Sequence, residues 1–540
     1  MRENSTGEGV LRVRRVARLF AVLAGGLALA GSGRIGAQPQ PAFDVLIRGG
    51  QVIDGTGAAP RAADVGVRGG RIAAVGSLGD ARAATVVDAA GQYVTPGFID
   101  VHSHAGEGLS EELNHGQPVL AQGITTVMVN PDGGGPVDTA AQRATYEKRG
   151  IGLNAGIFVP HGSIRRQVLG MADRAPTADE LKTMLALTRA GMKAGGIGLS
   201  SGPYYAPGSY AKTDELVALA RVAAEFRGVY SSHIRDESDY TIGMVAAVDE
   251  VITVAEQAKL TGIVTHMKAL GTGTWGASVE AVKHIEAARA RGVSVYADQY
   301  PYEASGTSIT GALVPRWAQV FGEQAMIRRA KGDERGKLLA DMRTNVARRG
   351  GAKTLVIARF EPDPSLEGRN LEELSKEWNK PPEEVALDLL VRGGAGLVSF
   401  NMTERDIEHI MKQPWTMTSS DGGLGPLGVG KPHPRAYGAF PRKLAVYVRE
   451  RGVVDWPFAI RSMTSLPAEV FGLKDRGVIR EGAWADIVVI DPARVADKAT
   501  YTEPHQLSVG IDTILVNGEV ARLKGEFSPK LAGRVVTIER

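Results

Sequence analysis

The residue pattern of this 540-residue chain is that of an α/β protein: a (β/α)8, TIM-like barrel with a small discontinuous β-sandwich domain formed by the two chain ends. Two observations lead to this prediction. The middle of the chain alternates short apolar runs with helical patterns, whereas both ends consist of short alternating runs between glycines. A content of 43% hydrophobic and 23% charged residues is globular and supports more than one domain.

Residues 1–37 have the pattern of an export signal. Several arginines precede an apolar run over 19–30, and small residues follow up to Ala37. The run is shorter than the about 20 residues that a permanent membrane anchor needs. We therefore expect cleavage near Ala37 and an exported protein, periplasmic or secreted, with no stable membrane anchor. A buried helix of the fold is the alternative.

The β-sandwich domain is predicted over residues 43–95 and 468–540. Alternating runs suited to half-buried strands lie at 44–48, 64–68, 71–75, 85–88, 485–491, 511–516 and 519–522. The Asn517-Gly518 pair is a hairpin turn signal. Because the termini of a domain usually lie close together, we expect the two ends to pair with each other.

Residues 96–467 predict the catalytic barrel. Its eight apolar runs lie at 98–101, 126–130, 155–160, 196–200, 228–232, 262–265, 293–297 and 416–419. Helical patterns such as 214–226, 244–259 and 279–291 separate them. The long interval between the seventh and eighth runs predicts an inserted subdomain at about 308–401.

Composition restricts the chemistry. The chain has no Cys, which excludes disulfides, thiolate metal ligands and a cysteine nucleophile, so any metal must be held by His and carboxylate side chains. The formal charge of +3 comes from the arginines of residues 1–37, and the remaining chain is close to neutral. We expect no nucleic-acid partner, because such proteins carry a basic surface.

Polar residues follow the apolar runs where the carboxyl ends of barrel strands form the active-site face. Four of the ten histidines, His102, His104, His233 and His266, lie at such ends with Asp421. Two-residue periodicity places His102 and His104 on one side of their strand. This nitrogen and oxygen set suits Zn2+ or a similar divalent ion. The alternatives are hydrogen-bonded structural histidines and a turn role for Asp421.

These residues carry a family resemblance. The stretch at 96–104 (PGFIDVHSH) resembles the opening motif of the amidohydrolase superfamily. More narrowly, the chain is similar to the N-acyl-D-amino acid deacylase (D-aminoacylase) family, with supporting stretches at 198–202, 205–211, 232–237, 298–302, 433–435, 463–468 and 485–488. The resemblance covers nearly everything after the export signal.

The resemblance implies a metal centre. His102, His104 and Asp421 would belong to one metal position, and His233 and His266 to the other. The expected cofactor is a divalent metal, Zn2+, as one or two ions.

The family usually has a Cys at the end of strand two, and Asp132 aligns with it here. Asp132 can supply an oxygen ligand of the same formal charge, although a harder one. Alternatively it caps a glycine-rich turn, in which case one metal suffices.

The resemblance also implies a reaction. Metal-activated water would attack the amide carbonyl of an N-acyl amino acid, expected to be of D configuration, with Asp421 as general base and then general acid. Lys268, Tyr300 and Arg435 align with the family's carboxylate-binding positions and would bind the carboxylate of a small-molecule substrate. Arg435 could instead be a surface residue paired with an acid.

Three residues depart from the family pattern and leave the substrate open. Gly306 stands where a hydroxyl residue is expected, and Pro203 and Tyr204 replace family-typical residues. The alternatives on the same metal centre are a cyclic amidase, a β-aspartyl dipeptidase and a lactonase, and a further class is a non-catalytic exported binding protein. The oligomeric state is not set by the sequence.

Overall fold

A computed structural model describes residues 42–539. The predicted export signal at 1–37 lies outside the described residues. Within 42–539, no helix combines the length and apolar character that crossing a bilayer requires.

The strands occur at both ends and between the helices of the middle region. In chain order they are β1 (Phe43–Val52), β2 (Arg61–Arg68), β3 (Arg71–Gly76), β4 (Ala83–Asp88), β5 (Tyr93–Pro96), β6 (Phe98–Asp100), β7 (Ile124–Val129), β8 (Asn154–Ile157), β9 (Val159–Pro160), β10 (Gly198–Ser201), β11 (Val229–Ser232), β12 (Gly262–Val264), β13 (Val295–Gln299), β14 (Ala304–Ser308), β15 (Leu355–Arg359), β16 (Gly396–Phe400), β17 (Thr416–Thr418), β18 (Ile487–Ile490), β19 (Thr513–Val516), β20 (Glu519–Leu523) and β21 (Glu526–Phe527).

In the described part of the chain, the α-helices lie between β6 and β18. They are α1 (Gly106–Ser110), α2 (Gln117–Leu120), α3 (Thr139–Arg149), α4 (His161–Leu169), α5 (Ala178–Lys193), α6 (Thr213–Glu225), α7 (Met244–Ala258), α8 (Ser278–Ala290), α9 (Ile309–Leu313), α10 (Glu323–Lys331), α11 (Arg335–Arg348), α12 (Leu371–Trp378), α13 (Pro382–Val391), α14 (Glu404–Met411), α15 (Arg435–Arg442), α16 (Trp456–Met463) and α17 (Ser465–Val470). A π-helical stretch, Lys443–Glu450, continues α15.

Strands from both chain ends form one nine-stranded sheet, in the order β21-β20-β19-β18-β5-β1-β2-β3, with β4 also paired to β1. The ends meet where β18 runs antiparallel to β5, with Val488 opposite Thr95. Ile47, Val65 and Leu515 are among its buried apolar residues. The expected pairing of the two ends is therefore present, and their arrangement as a sandwich stays a prediction.

The parallel strands of the middle region form two sheets, with the orders β6-β7-β8 and β17-β13-β12-β11-β10-β9. Only Phe158 separates β8 from β9, and its N–H donates to Val129 O. At the opposite edges, His104 pairs in parallel with Gly423. All eight runs expected from the sequence contain strands, and their closure into one barrel stays a prediction.

The interval between β13 and β17 contains an antiparallel sheet, β14-β16-β15, with helices α9 to α13. Leu338, Phe360 and Leu389 belong to its own apolar core. This sheet begins at Ala304, slightly before the expected boundary at 308, because β14 pairs along its whole length with β16.

A buried polar cluster joins the terminal sheet to the parallel strands. Asp486 accepts a 2.7 Å hydrogen bond from the Asn517 N–H, and it forms an ion pair with Arg476. The Asn154 amide at the start of β8 also donates to Asp486, at 3.3 Å. The 485–488 motif thus has a structural role in holding the two regions together.

Candidate metal centre

The ends of the first and last parallel strands are held together by backbone hydrogen bonds. The Asp421 N–H donates to His102 O, and the His104 N–H donates to Gly422 O, both at 2.9 Å. The Asp100 carboxylate also accepts from the Ser420 N–H at 2.9 Å. These contacts fix the loop after β17 against the loop after β6, so that their side chains converge.

The first cluster consists of two imidazoles and two carboxylates. His102 Nε2 lies 3.4 Å from Asp132 Oδ1 and 3.5 Å from Asp421 Oδ1. His104 Nε2 lies 3.4 Å from Asp132 Oδ2 and 3.2 Å from Asp421 Oδ1. The structure therefore brings Asp132 together with the three residues expected at the first metal position.

Several of these residues have left-handed backbone conformations. The φ angles of Asp132, His266 and Asp421 are 56°, 35° and 49°. Positive φ is uncommon for residues other than Gly, and such conformations concentrate at functional sites. Here they turn the chain sharply after β7, β12 and β17, which directs the three side chains toward one centre.

The second cluster consists of His233, His266 and Glu237. The imidazole rings of His233 and His266 have centroids 4.5 Å apart. Glu237 Oε1 lies 3.1 Å from His266 Nδ1, and Glu237 Oε2 lies 3.9 Å from His233 Nε2. Asp132 Oδ1 lies 3.7 Å from His266 Nε2, so Asp132 faces both clusters.

Sequence reasoning missed Glu237 as a member of the site. Its motif, SHIRDE, was noted only for the resemblance that it carries, although Glu237 is four residues after His233. Glu237 also accepts a 2.5 Å hydrogen bond from Lys268 Nζ. A carboxylate that holds one nitrogen of an imidazole fixes the ring and leaves its other nitrogen free for a metal.

The residues present fit a divalent cation. Both ring nitrogens of His102 and Oδ1 of Asp132 are buried and form no hydrogen bond within residues 42–539. Ligand atoms of His102, His104, Asp132 and Asp421 all lie within 4.8 Å of one another, and so do those of the second cluster. Buried polar atoms normally have a hydrogen-bonding or metal partner. A cation bound between His102 and Asp132 would be such a partner.

The charges of the site favour a cation as well. Partial desolvation of the His104 ring, whose side chain is 42% exposed, would lower its pKa, but hydrogen bonds to Asp132 and Asp421 raise it to about 9. Burial opposes ionisation of Asp421, but the charges of Arg435 and His266 hold its pKa well below the usual range. Ionised carboxylates therefore face His104, and a metal ion would replace the proton that this imidazole holds.

The three expected carboxylate-binding residues are close together. Arg435 lies with its guanidinium carbon 4.6 Å from the centre of the Tyr300 ring, and Lys268 Nζ lies 5.5 Å from the same centre. The buried Tyr300 hydroxyl has no hydrogen-bond partner among the described residues. Arg435 is buried, which excludes the surface role that its position in the sequence also allowed.

All of these groups except the fully buried His102 line one cavity of about 850 Å³. Gly306 is part of its wall, and a Cβ at that position would lie 3.2 Å from Arg435 Nη2. His161 is not among the lining residues, and its Nε2 lies 2.8 Å from Glu215 Oε1 in a buried cluster with Arg165. The departure at Gly306 thus opens space beside Arg435.

Comparison with known families gives a match to the Amidohydrolase family over residues 85–522. The match spans most of the chain, including both clusters and the cavity. The protein belongs to the amidohydrolase family. Within this family, the expected resemblance to D-aminoacylases is confirmed by full-length relatives.

Two curated amidohydrolases of Alcaligenes xylosoxydans xylosoxydans are similar to this chain. A D-aminoacylase is 34% identical over 92% of this chain and 97% of its own length. An N-acyl-D-glutamate deacylase is 35% identical over 89% of this chain and 93% of its own length.

One solved structure is also similar to this chain over nearly its whole length. The N-acyl-D-glutamate deacylase from Bordetella bronchiseptica, complexed with zinc and a phosphonate inhibitor that mimics the tetrahedral intermediate of the reaction, is 35% identical. It superposes with a TM-score of 0.79, covering 91% of this chain and 99% of the other. The mixed α/β fold of this family is therefore present here.

Proposed function

We propose that this protein is a metal-dependent amidase that hydrolyses the amide bond of N-acyl amino acids of D configuration. The observation that carries the proposal is that both clusters of possible ligands, with His102 buried behind His104 and Asp421, meet at one cavity that also contains Arg435. The two Alcaligenes relatives, named for the deacylation of D-amino acid derivatives, support this substrate class.

We propose Zn2+ as the divalent ion. His102, His104 and Asp421 would hold one ion, His233 and His266 the second, and Asp132 faces both clusters. A bound ion would supply Lewis-acid activation of water and of the scissile carbonyl. The zinc in the Bordetella structure supports this choice.

Asp421 is placed for proton transfer. Its Oδ1 faces the two imidazoles of the first cluster, whereas its Oδ2 faces Arg435. Because its pKa is low, the carboxylate is ionised at neutral pH and accepts a proton from the attacking water. It then protonates the leaving nitrogen, since an amine leaves poorly without a proton.

The substrate carboxylate binds at the other side of Asp421. Arg435 offers a planar pair of donors and Tyr300 a free hydroxyl, which together suit a carboxylate. Lys268 adds positive charge, and its Nζ donates to Glu237, the carboxylate that also faces His266 Nδ1. Lys268 therefore links substrate recognition to the second cluster.

We also propose the wider organisation that the sequence predicts. The parallel strands would close into a (β/α)8 barrel at 96–467, with the terminal sheet arranged as a β-sandwich. Support comes from the hydrogen bonds between the loops after β6 and β17. Export, as a periplasmic or secreted protein, rests on the pattern of residues 1–37.

The deciding experiment is a hydrolysis screen of the purified protein on paired D and L N-acyl amino acids, combined with metal analysis. We expect a stoichiometric divalent metal and turnover of the D members. Bound metal without hydrolysis of any acyl amino acid, dipeptide or lactone would instead support a binding protein.

A further inference from the structure

Arg349 is a buried cation of the active-site cavity that the proposed mechanism does not use. It follows α11 of the inserted subdomain, is 1% exposed, and lines the same cavity as Asp421 and Arg435. The segment that follows α11 therefore contributes a charged group to the cavity that also contains the residues of the two clusters.

The guanidinium of Arg349 is held in place by neutral oxygens. Its Nε donates to the Tyr240 hydroxyl at 2.7 Å, and its Nη2 donates to the Tyr204 hydroxyl at 3.0 Å. With the Asn401 amide turned to suit its neighbours, Nη1 donates to the Asn401 oxygen at 3.3 Å. A guanidinium has five N–H donors, so these contacts leave donors for a ligand.

The charge of Arg349 has no carboxylate partner within residues 42–539, unlike the other two buried cations of the cavity. Lys268 faces Glu237 at 2.5 Å, and Arg435 faces Asp421 at 2.7 Å. The third carboxylate of the centre, Asp132, faces histidines. Because an uncompensated buried charge is unfavourable, an anion that enters the cavity is stabilised beside Arg349.

Arg349 lies close to both the metal centre and the carboxylate-binding residues. The Tyr204 ring to which it bonds stacks on the His233 ring, with centroids 4.8 Å apart. On the other side, the reoriented Asn401 oxygen accepts from Ser305 Oγ at 3.2 Å. Ser305 precedes Gly306, whose missing side chain leaves the wall open beside Arg435. The guanidinium groups of Arg349 and Arg435 therefore flank the short stretch of cavity wall at Ser305 and Gly306.

We propose that Arg349 binds a second carboxylate of the substrate, and that the protein prefers N-acylated amino acids with an acidic side chain. The α-carboxylate is bound by Arg435 and Tyr300, while the side-chain carboxylate forms charged hydrogen bonds with Arg349. This inference rests on the proposed amidase function and specifies its substrate class.

The test compares N-acetyl-D-glutamate with N-acetyl-D-glutamine, which has nearly the same shape but an uncharged side chain. For the wild type, we expect kcat/KM to be higher for the acid by at least about tenfold. Arg349→Gln should bring the ratio close to one by lowering kcat/KM for the acid alone. Arg349→Lys, which keeps the charge, should retain part of the preference.

The matched control is Arg328→Gln, which removes an exposed arginine of the same subdomain and should leave the ratio unchanged. If Arg349→Gln does not fold, the acid-to-amide ratio of kcat/KM in the wild type and in Arg349→Lys still tests the inference. A wild-type ratio of one or less, or an unchanged ratio in a folded Arg349→Gln variant, would overturn the inference.

The same comparison by calorimetric binding of the two ligands requires no turnover, so an inactive preparation also gives an answer. Equal turnover of acid and amide would refute only the role of Arg349. If none of N-acetyl-D-glutamate, N-acetyl-D-glutamine and N-acetyl-D-leucine is hydrolysed, the amidase function itself is refuted.

Discussion

Arg435 and Asp421 form a buried ion pair, with Nη1 of the guanidinium 2.7 Å from Oδ2 of the carboxylate. The pair places the residue that we propose to bind the substrate carboxylate directly beside the residue that we propose to move the proton. In the proposed mechanism, substrate recognition and proton transfer therefore share one contact, and a substrate held by Arg435 would have its scissile amide near Asp421.

Replacing Arg435 by Ala should weaken recognition of a carboxylate. We expect kcat/KM for N-acyl amino acids to fall by about tenfold or more, because a buried, charged hydrogen bond to the substrate is lost. Steady-state kinetics at pH 8 measure the effect. A neutral ester substrate is the control, and equal losses on both substrates would contradict a role in carboxylate binding.

Replacing Asp421 by Asn should abolish most turnover while bound metal is largely retained. The amide keeps a ligand oxygen but cannot accept the proton, so we expect kcat to fall by about 10²–10⁴. Turnover and metal content are measured on the same sample. Asp249→Asn on α7, at a half-exposed residue outside the cavity, is the matched control. Unchanged turnover in Asp421→Asn would remove Asp421 from the mechanism.

Glu237 should stabilise the second cluster through His266. We expect Glu237→Gln to weaken metal binding by about tenfold or more, because the ring of His266 loses its ionic partner. His266→Ala should lower the metal content further, since a ligand itself is removed. Metal analysis after dialysis against a chelator measures both, with the exposed Glu256→Gln as control. Full metal retention in His266→Ala would contradict the ligand assignment.

Lys443 should make stability depend on pH. It is buried below β17, and its Nζ bonds the hydroxyls of Thr418 and Ser462 at 2.8 Å each. Burial lowers its pKa from the usual 10.5 to about 7. Between these two values the unfolded chain binds a proton that the folded protein does not, so this group makes the free energy of unfolding rise as pH increases from about 7 toward 10.5.

Lys443→Met should remove that rise and raise the free energy of unfolding at pH 6 by roughly 2–4 kcal/mol, because a buried charge is no longer required. Urea unfolding of both proteins between pH 6 and pH 9 measures the difference. Lys412→Met, at a half-exposed lysine, should change neither the free energy of unfolding at pH 6 nor its dependence on pH. Parallel pH curves for the wild type and Lys443→Met would show that Lys443 is not the titrating group.

Many of the strands and helices can be predicted from the local pattern of apolar and polar residues. The apolar run at 228–232 corresponds to β11 (Val229–Ser232), and the helical pattern at 244–259 corresponds to α7 (Met244–Ala258). Such runs are bounded by glycines and polar turns, so their limits depend on neighbouring residues alone. The pairing of His102 with His104 was expected from the two-residue strand period, but both residues follow β6 (Phe98–Asp100), and it is the backbone hydrogen bonds to the loop after β17 that hold them.

Glu237 and Arg349 could not be found in this way. Glu237 reaches His266 only because the loop after β11 folds back toward the end of β12. Arg349 reaches the cavity because the inserted subdomain packs with α11 near Tyr204 and Tyr240. Both placements depend on tertiary packing between segments distant in the chain, for which residue spacing gives no signal.

The antiparallel contact of β5 with β18 has a consequence for biosynthesis. β5 can pair early with β1, which precedes it, but Pro96 pairs with Ile487, so the strand that leads into the first histidine pair acquires its second neighbour only after nearly 400 further residues have been made. Pairings of such large sequence separation form late, because a long loop must close first. We expect the nascent chain to gain its mature metal affinity only once the ribosome has released most of the polypeptide.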